Sequence, residues 1–517
     1  MSTNSINFVH IAIFFYLPLQ SRIYVILINN HMKKKVLHPE WALAHKRKGT
    51  ELRLLKGKYY LYQVTSKWNP EKKRSVKITE KFLGRITEAE GFVESEKARL
   101  RRQQVQIDRV QVKEYGITSA VEHLFTNTVS ALKEYFPDCW QRLVALAYGR
   151  LVHQSPLKNM SFHYSHSYLS EQYSGVDLSS RSLSYFLREV GQDRNKIVAF
   201  CRSFKISEDC ILFDGTDIFS DSQQMGLPRF SKSKFGTFDD MINLMCVFSV
   251  KQQSPVYYRL LPGNIKDVSA FKMSLQESGV NDATVIIDKG FASNSNIEAL
   301  EKEGLKFIIP LPRNSSMIDY QKIKSGDKSL LDGHFLYEGR YIWYYTTAVD
   351  EKKSITVFLD DELRCREEKD YLNRIESKAV KYSMEKFHEK RHTFGTVAMI
   401  ENAGKSPREI YVDYKTRGEV ETMIDTLKNV VDADRTCMQN ELALEGWMFV
   451  NMIALKWYYV ILNLLKKYEL NKKYSPADFL LFLSEVKMVK INNTWHRAEV
   501  TRKAVELMKK LGIEPIT

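Results

Sequence analysis

The sequence predicts a mixed α/β protein: an α/β domain with an inserted antiparallel β subdomain, preceded by an N-terminal β-hairpin and a helical region. Three observations predict it. From Asp209 onward, short apolar runs alternate with stretches of helical spacing, the pattern of strands joined by helices. Tyr337 to Leu363, YEGRYIWYYTTAVDEKKSITVFLDDEL, strings aromatic and β-branched runs between turns. Near the N-terminus, the aromatic run Lys58 to Gln63 and its return, Arg74 to Ile86, flank the turn Trp68-Asn69-Pro70.

Taken in order, residues 1–31 hold two apolar runs, Ile6 to Tyr16 and Ile23 to Ile28, broken by Pro18, Gln20 and Arg22. Neither reaches the roughly 20 residues that span a bilayer, and no signal-peptide flanks surround them. Met32 opens a basic run and is read as the natural start, with an interfacial anchor as the competing view. Residues 32–115 form a basic hairpin and linker. The run Arg99 to Arg109 suits phosphate contact and a solvated helix face equally well. Residues 116–205 are helical, with Ala120 to Leu151, Ser165 to Gln172 and Ser180 to Val190 as helices, and serve either DNA binding or packing.

In 206–320 the strands are Cys210 to Phe213, Ile242 to Val250, Val256 to Leu261, Ala283 to Ile287 and Phe307 to Ile309, with helices at Ser269 to Ser278 and Ile297 to Glu303. Residues 321–390 are the β-rich insertion with a charged helical tail. Residues 391–470 return to the α/β domain through the strand Phe394 to Ile400 and the helix Glu419 to Leu427. The 24-residue apolar tract Leu442 to Leu465 contains Glu445, Asn451 and Lys456, so it reads as a core helix and not a membrane span. Residues 471–517 are expected to be helical.

The 517-residue chain is 44% hydrophobic and 27% charged, which is globular composition. A net charge of +15 suits a polyanionic partner. The six cysteines form no CxxC pair, which argues against a zinc knuckle and fits a reducing compartment. A GxxxxGK loop is absent, which argues against an ATP-driven motor.

The chemistry concentrates in three places. Asp214 directly follows Ile211-Leu212-Phe213, and Asp288 directly follows Val285-Ile286-Ile287. Acids at the ends of apolar strands need water, hydrogen bonds or cations. If the strands are neighbours, both carboxylates meet at one sheet edge, a site for hard divalent ions. Thr216, two residues on, shares the side of Asp214. Taken singly, a strand-end aspartate is more often a turn cap. Tyr414, Arg417, Glu421 and Lys428 are spaced by 3, 4 and 7, which puts them on one helical face if the helix begins before Tyr414. Glu421 can ligate a metal, Arg417 and Lys428 can grip phosphate, and Tyr414 can stack on a base. Spacing alone fits a salt-bridged helix at least as well.

The segment YKTRGEVETMIDTLK, Tyr414 to Lys428, matches Tyr-x2-Arg-x3-Glu-x6-Lys, and in it the chain resembles the IS4-like superfamily of bacterial and archaeal DDE transposases, with the IS1634-type branch as the nearest likeness. Asp214-Gly215-Thr216 and Asp288-Lys289-Gly290-Phe291 resemble the family's two aspartate contexts. The aromatic strand Tyr257 to Leu261 before Pro262-Gly263-Asn264 resembles a feature the family often has between them, and the run Phe307 to Arg313 and the early Phe82 to Ile86 resemble the branch. The resemblance covers roughly Lys56 to Leu465.

It implies an RNase H-like catalytic domain with a β-rich insertion before the glutamate helix. It implies catalytic and metal-binding roles for Asp214, Asp288 and Glu421, with two Mg²⁺ ions about 3.5–4 Å apart and Mn²⁺ as a substitute. Tyr414, Arg417 and Lys428 would be DNA-binding. The activity implied is hydrolysis at transposon ends followed by 3′-OH strand transfer into target DNA, with hairpin excision as one route. The partners implied are double-stranded DNA and further copies of the chain in a paired-end complex, with no membrane, in a prokaryotic cytoplasm near the nucleoid. The rival readings are a nuclease of the same fold that cuts without joining, a non-catalytic DNA-binding remnant, and a basic structural protein.

Overall fold

The computed structural model describes residues 38–103, 110–232, 238–265 and 267–511. The segment 1–31, with its start-site and anchor readings, lies outside the described residues, as does most of the run after Arg99. The chain divides into two compact units, 1–107 and 108–517.

The first unit is a four-stranded antiparallel sheet in the order β1 (Thr50–Leu55), β2 (Lys58–Asn69), β3 (Arg74–Thr87) and β4 (Gly91–Glu94). Alternation builds it: Tyr59 and Leu61 point inward with Leu52, Ile86 and Ala42, while Lys58 and Arg85 face solvent. The expected hairpin is present, but as the centre of a sheet with longer strands.

The second unit is a mixed α/β fold around one eleven-stranded sheet. Strand β5 (Val110–Glu114) lies outside that sheet. The sheet contains β6 (Asp209–Ser220), β7 (Arg229–Lys232), β8 (Phe238–Ser249), β9 (Ser254–Pro262), β10 (Ala283–Ile287) and β11 (Lys306–Leu311). It continues with β12 (Gly333–Tyr337), β13 (Arg340–Ala348), β14 (Ser354–Asp360), β15 (Thr396–Glu401) and β16 (Arg435–Thr436). At its heart β6, β8 and β9 form an antiparallel meander, and β10 and then β11 lie parallel to β6 on the other side. Helices Asp267–Ser278 and Asn294–Lys302 supply the crossovers that parallel strands require.

Two expectations need correcting. The insertion is not a separate β subdomain: β15 pairs antiparallel with β11, and β14, β13 and β12 follow, so its strands extend the central sheet. Apolar periodicity identifies strands but does not encode their partners. The region after 470 is not wholly helical. Strands β17 (Lys487–Ile491) and β18 (Thr494–Arg497) form a hairpin that pairs with β5. Its turn residues, Asn492 and Asn493, are both left-handed at φ 48° and 71°, as a tight two-residue hairpin demands.

The helix Glu441–Lys467 is long and apolar enough to cross a bilayer, yet most of it is buried in the protein core. The helices Trp140–His153 and Ser180–Gln192 share that core with it and with the sheet. Gly446 and Gly191 permit the approach: a Cβ on Gly446 would stand 2.2 Å from the Leu187 carbonyl oxygen, and one on Gly191 1.9 Å from that of Leu442. The aromatic strand also serves this packing. Tyr258 donates to Glu445 at 2.7 Å, and Arg194 joins Glu445 and Glu277, each at 2.6 Å.

Lys456 sits fully inside this helix packing, donating to the Pro255 carbonyl at 2.9 Å and lying over the Phe204 ring. Burial pushes its ammonium down to about 8. The unfolded chain therefore binds more protons between about 8 and the ordinary 10.5, so stability rises with pH through that window. At neutral pH the full cost, about 3 kcal/mol, is present. Lys456→Met is expected to stabilise the protein by about 2 kcal/mol at pH 7, since one carbonyl loses its donor. The gain should fade as pH approaches 10.5. Thermal melts of both proteins across pH 7 to 10.5 check this, and a gain that does not change with pH would contradict it.

Candidate active site

Strand register brings the two aspartates together. Ile287 of β10 aligns with Phe213 of β6, so the next residues, Asp288 and Asp214, stand side by side on neighbouring parallel strands. Asp214 does not end its strand, as the sequence suggested. Strand β6 runs on to Ser220, with Asp214 opposite Cys246 and Phe219 opposite Met241. Gly215-Thr216-Asp217 looks like a turn by composition, but the long partner β8 keeps it extended. Thr216 is buried on the same side of β6 as Asp214.

Asp288 does end its strand. Its carboxylate caps the short turn Lys289–Phe291, accepting from the Lys289 amide at 2.7 Å. Phe291 anchors that turn by burial against Phe271. Asn296 ties the Phe291 carbonyl from behind at 2.8 Å. The apolar side chain of the Asp-x-Gly-Phe motif therefore positions the acidic one.

The third carboxylate comes from a helix pair. Pro407–Lys415 starts at a Ser406/Glu409 capping box with Pro407 in its first turn. After Thr416 and Arg417, both in helical conformation, Gly418–Asp425 follows. Val420, Met423, Ile424 and Leu427 face the core, which leaves Glu421 on the exposed side. A π turn, Thr426–Val430, then carries Lys428.

Arg417 is the hub. Its Nη2 lies 3.4 Å from Asp288 Oδ2 and 3.9 Å from Asp214 Oδ2, and its Nη1 lies 2.7 Å from Glu421 Oε1. The guanidinium is mostly buried, and its Nε has no hydrogen-bond partner among the described residues. Tyr414 is half-buried beside it. Desolvation raises the Tyr414 phenol above its ordinary value, opposed by Arg417 and reinforced by Asp288 and Glu421, so it stays a neutral donor at neutral pH.

Lys428 is occupied elsewhere: it donates to the Asp217 carbonyl at 2.6 Å and pairs with Asp434 at 2.9 Å. The structure thus brings Asp214, Asp288, Arg417, Glu421 and Tyr414 into one locus. Lys428 is bound to the far stretch of β6.

Three carboxylates of hard oxygen character around one cationic group fit a divalent cation in charge and donor type. Among the described residues, no three acidic, histidine or cysteine side chains stand close enough to hold a metal ion as they are. The carboxylates are gathered on the guanidinium instead.

Sequence reasoning missed the residues that brace this locus. Arg150, in the helix Trp140–His153, donates to Asn451 at 2.8 Å, to the Ser155 carbonyl at 3.0 Å and to the Asp432 carbonyl at 2.9 Å, and also to Val431. It pins the chain just after the π turn. The available signal was one arginine inside an apolar helical run.

Residues 207–457 match the family model described as the transposase DDE domain. No curated protein sequence matches the chain. Among solved structures, a piggyBac transposase synaptic complex with hairpin DNA is similar at 11% identity and TM-score 0.38, over 67% of this chain and 69% of that one. The Mos1 transposase paired-end complex with left transposon end is similar at 12% identity and TM-score 0.14, over 30% of this chain and 53% of that one. The Mos1 mariner paired-end complex with Mn is similar at 14% identity and TM-score 0.14, over 31% and 54%. The chain therefore spans about half the length of the two Mos1 chains it matches.

Proposed function

We propose that the chain, whose residues 207–457 match the transposase DDE domain, is a DNA transposase of the IS4-like kind, which cleaves transposon ends and joins them to target DNA. The observation that carries this reading is the convergence of Asp214, Asp288 and Glu421 on one cationic group. The strand order β9-β8-β6-β10-β11, an antiparallel meander with β10 and β11 parallel to β6, is consistent with an RNase H-like core and supports the same reading.

Asp214, Asp288 and Glu421 would hold two divalent ions, Mg²⁺ or Mn²⁺, whose chemistry is to acidify water and neutralise charge on the leaving oxygen. The chain's own residues do the rest. Asp288 and Asp214 are fixed by strand register, so they fix where the scissile phosphate sits. Glu421, on an exposed helix face, closes the third side. Arg417 has two roles in sequence: it neutralises the carboxylates in the free protein, and it turns its fork to the phosphate when DNA binds. Tyr414 donates its phenol proton to a phosphate oxygen or stacks on a base. Lys428 holds the second half of β6 through the Asp217 carbonyl and would contact phosphate from there. The partners are duplex DNA and at least one further copy of the chain in a paired-end complex, in the cytoplasm of a prokaryote.

The test uses labelled duplexes from the DNA flanking the gene, with Mg²⁺ or Mn²⁺, and compares wild type with Glu421→Ala. Among the described residues Glu421 forms an ion pair with Arg417 alone and it is exposed, so its loss leaves the fold intact. Strand cleavage at the ends by wild type and none by the variant is the expected result. Equal cleavage by both would remove Glu421 from the chemistry.

A further inference from the structure

In the first unit, β1 pairs with β2 only over Lys58–Gln63, and β4 pairs with β3 only over Gly84–Thr87. Beyond those supports β2 and β3 continue as a two-stranded ribbon through Thr65–Asn69 and Arg74–Ile78. Register shifts at Leu61/Tyr62 and Gln63/Val64 mark its base, where bulges bend and twist a strand pair. Its tip is ordered. The Asn69 side chain accepts from the amides of Glu71 and Lys72 at 3.0 and 3.1 Å, and Lys73 takes a left-handed φ of 44°.

Neither face of this ribbon is covered within its own unit. Lys67, Trp68, Lys72, Lys73, Arg74, Lys77 and Ile78 are all exposed, Trp68 by 61%. Lys67, Lys72, Lys73 and Arg74 have no carboxylate partner among the described residues, whereas Lys77 is held by Glu51 at 3.1 Å. The pairing Lys67↔Val76, Asn69↔Arg74 and Thr65↔Ile78 puts Lys67, Arg74, Val76, Thr65 and Ile78 on one face. A ribbon of five residues per strand is about 17 Å long at 3.3 Å per residue. With side chains its width suits the roughly 12 Å major groove of B-form DNA, which admits a two-stranded ribbon.

We propose that the β2–β3 ribbon is a major-groove reader of duplex DNA. Lys67 and Arg74 meet base edges beside the methyl-complementary Val76 and Ile78, and the tip lysines Lys72 and Lys73 hold phosphates. The proposal rests on the reading of duplex DNA as substrate and adds the element that recognises it. The unpaired positive charge argues for a polyanion, and the narrow, two-sided ribbon selects a groove over a flat surface.

The experiment uses the full chain and a 40-base-pair duplex from the DNA flanking the gene. Fluorescence anisotropy across a KCl series reads affinity and its salt slope. Dimethyl sulfate protection of guanine N7 reads the major groove. Lys72→Ala/Lys73→Ala is expected to lower the slope of log affinity against log salt by about 2 while N7 protection remains. Lys67→Ala/Arg74→Ala is expected to weaken binding at least about tenfold and to remove N7 protection. Both variants should melt like wild type, because none of the four side chains packs in a core.

Wild-type binding that neither variant alters would overturn the inference and leave the transposase reading standing. No binding of the duplex by wild type would overturn both. Ribbon-dependent binding of anionic vesicles or single-stranded RNA in preference to the duplex would also overturn it.

Discussion

Asp288→Asn is expected to lower end cleavage by about a thousand-fold or more without changing the thermal midpoint. The fold tolerates the change for a local reason: the capping hydrogen bond that Asp288 accepts from the Lys289 amide is accepted equally well by an asparagine oxygen. The proposed chemistry would not tolerate it. An amide carries no charge, so a divalent ion held at this site would lose one anionic ligand, and several kcal/mol of charge stabilisation in the transition state would go with it. At 1.36 kcal/mol per tenfold, that is at least three orders of magnitude. Cleavage rates in Mg²⁺ together with melting curves check both halves. A variant within tenfold of wild type would exclude Asp288 from the reacting centre.

Arg150→Ala carries the largest expected effect on stability, a loss of about 4 kcal/mol. The guanidinium is buried and stacks over Trp447, and its value is lowered to about 10 by desolvation. It satisfies Asn451 and the carbonyls of Ser155, Val431 and Asp432. Truncation leaves these acceptors without donors in a closed space, at about 1–3 kcal/mol each before relaxation. The damage should be directional. Val431 and Asp432 follow the π turn that carries Lys428, so amide exchange is expected to rise first from Thr426 to Arg435. Denaturation and hydrogen exchange measure the two parts. An unchanged midpoint would mean that water replaces the guanidinium.

Much of this fold was legible as apolar runs. Val285-Ile286-Ile287 and Ile211-Leu212-Phe213 lie on parallel neighbours because both are apolar throughout, as strands buried on both faces must be. The long helix was legible because its few polar residues have partners: Asn451 accepts from Arg150, Glu445 pairs with Arg194, and Lys456 donates to Pro255. What stayed hidden was pairing at a distance. Gly215-Thr216-Asp217 is extended only because β8 lies beside it, and the insertion strands extend the sheet only because β11 offers them an edge. Neither partner leaves a mark in local periodicity.

At the candidate site, the spacing of Tyr414, Arg417 and Glu421 was visible, but the position of Arg417 between three carboxylates was not. It depends on the Phe291-anchored turn and on the core-facing row Val420, Met423, Ile424 and Leu427. Lys428 shows the limit of a one-face argument. The π turn adds a residue to the helical repeat, and the lysine meets Asp217 and Asp434.

Strand transfer tests the central claim most directly. Labelled duplex ends from the gene's flanks, a supercoiled plasmid and Mg²⁺ are incubated with the full chain, and end-to-plasmid joints are sequenced. The account predicts joints made through the 3′ ends with wild type and none with Asp214→Asn or Glu421→Ala. Cut ends that never join would contradict it and identify a nuclease instead; joints that persist when either carboxylate is removed would contradict the assigned roles of Asp214 and Glu421.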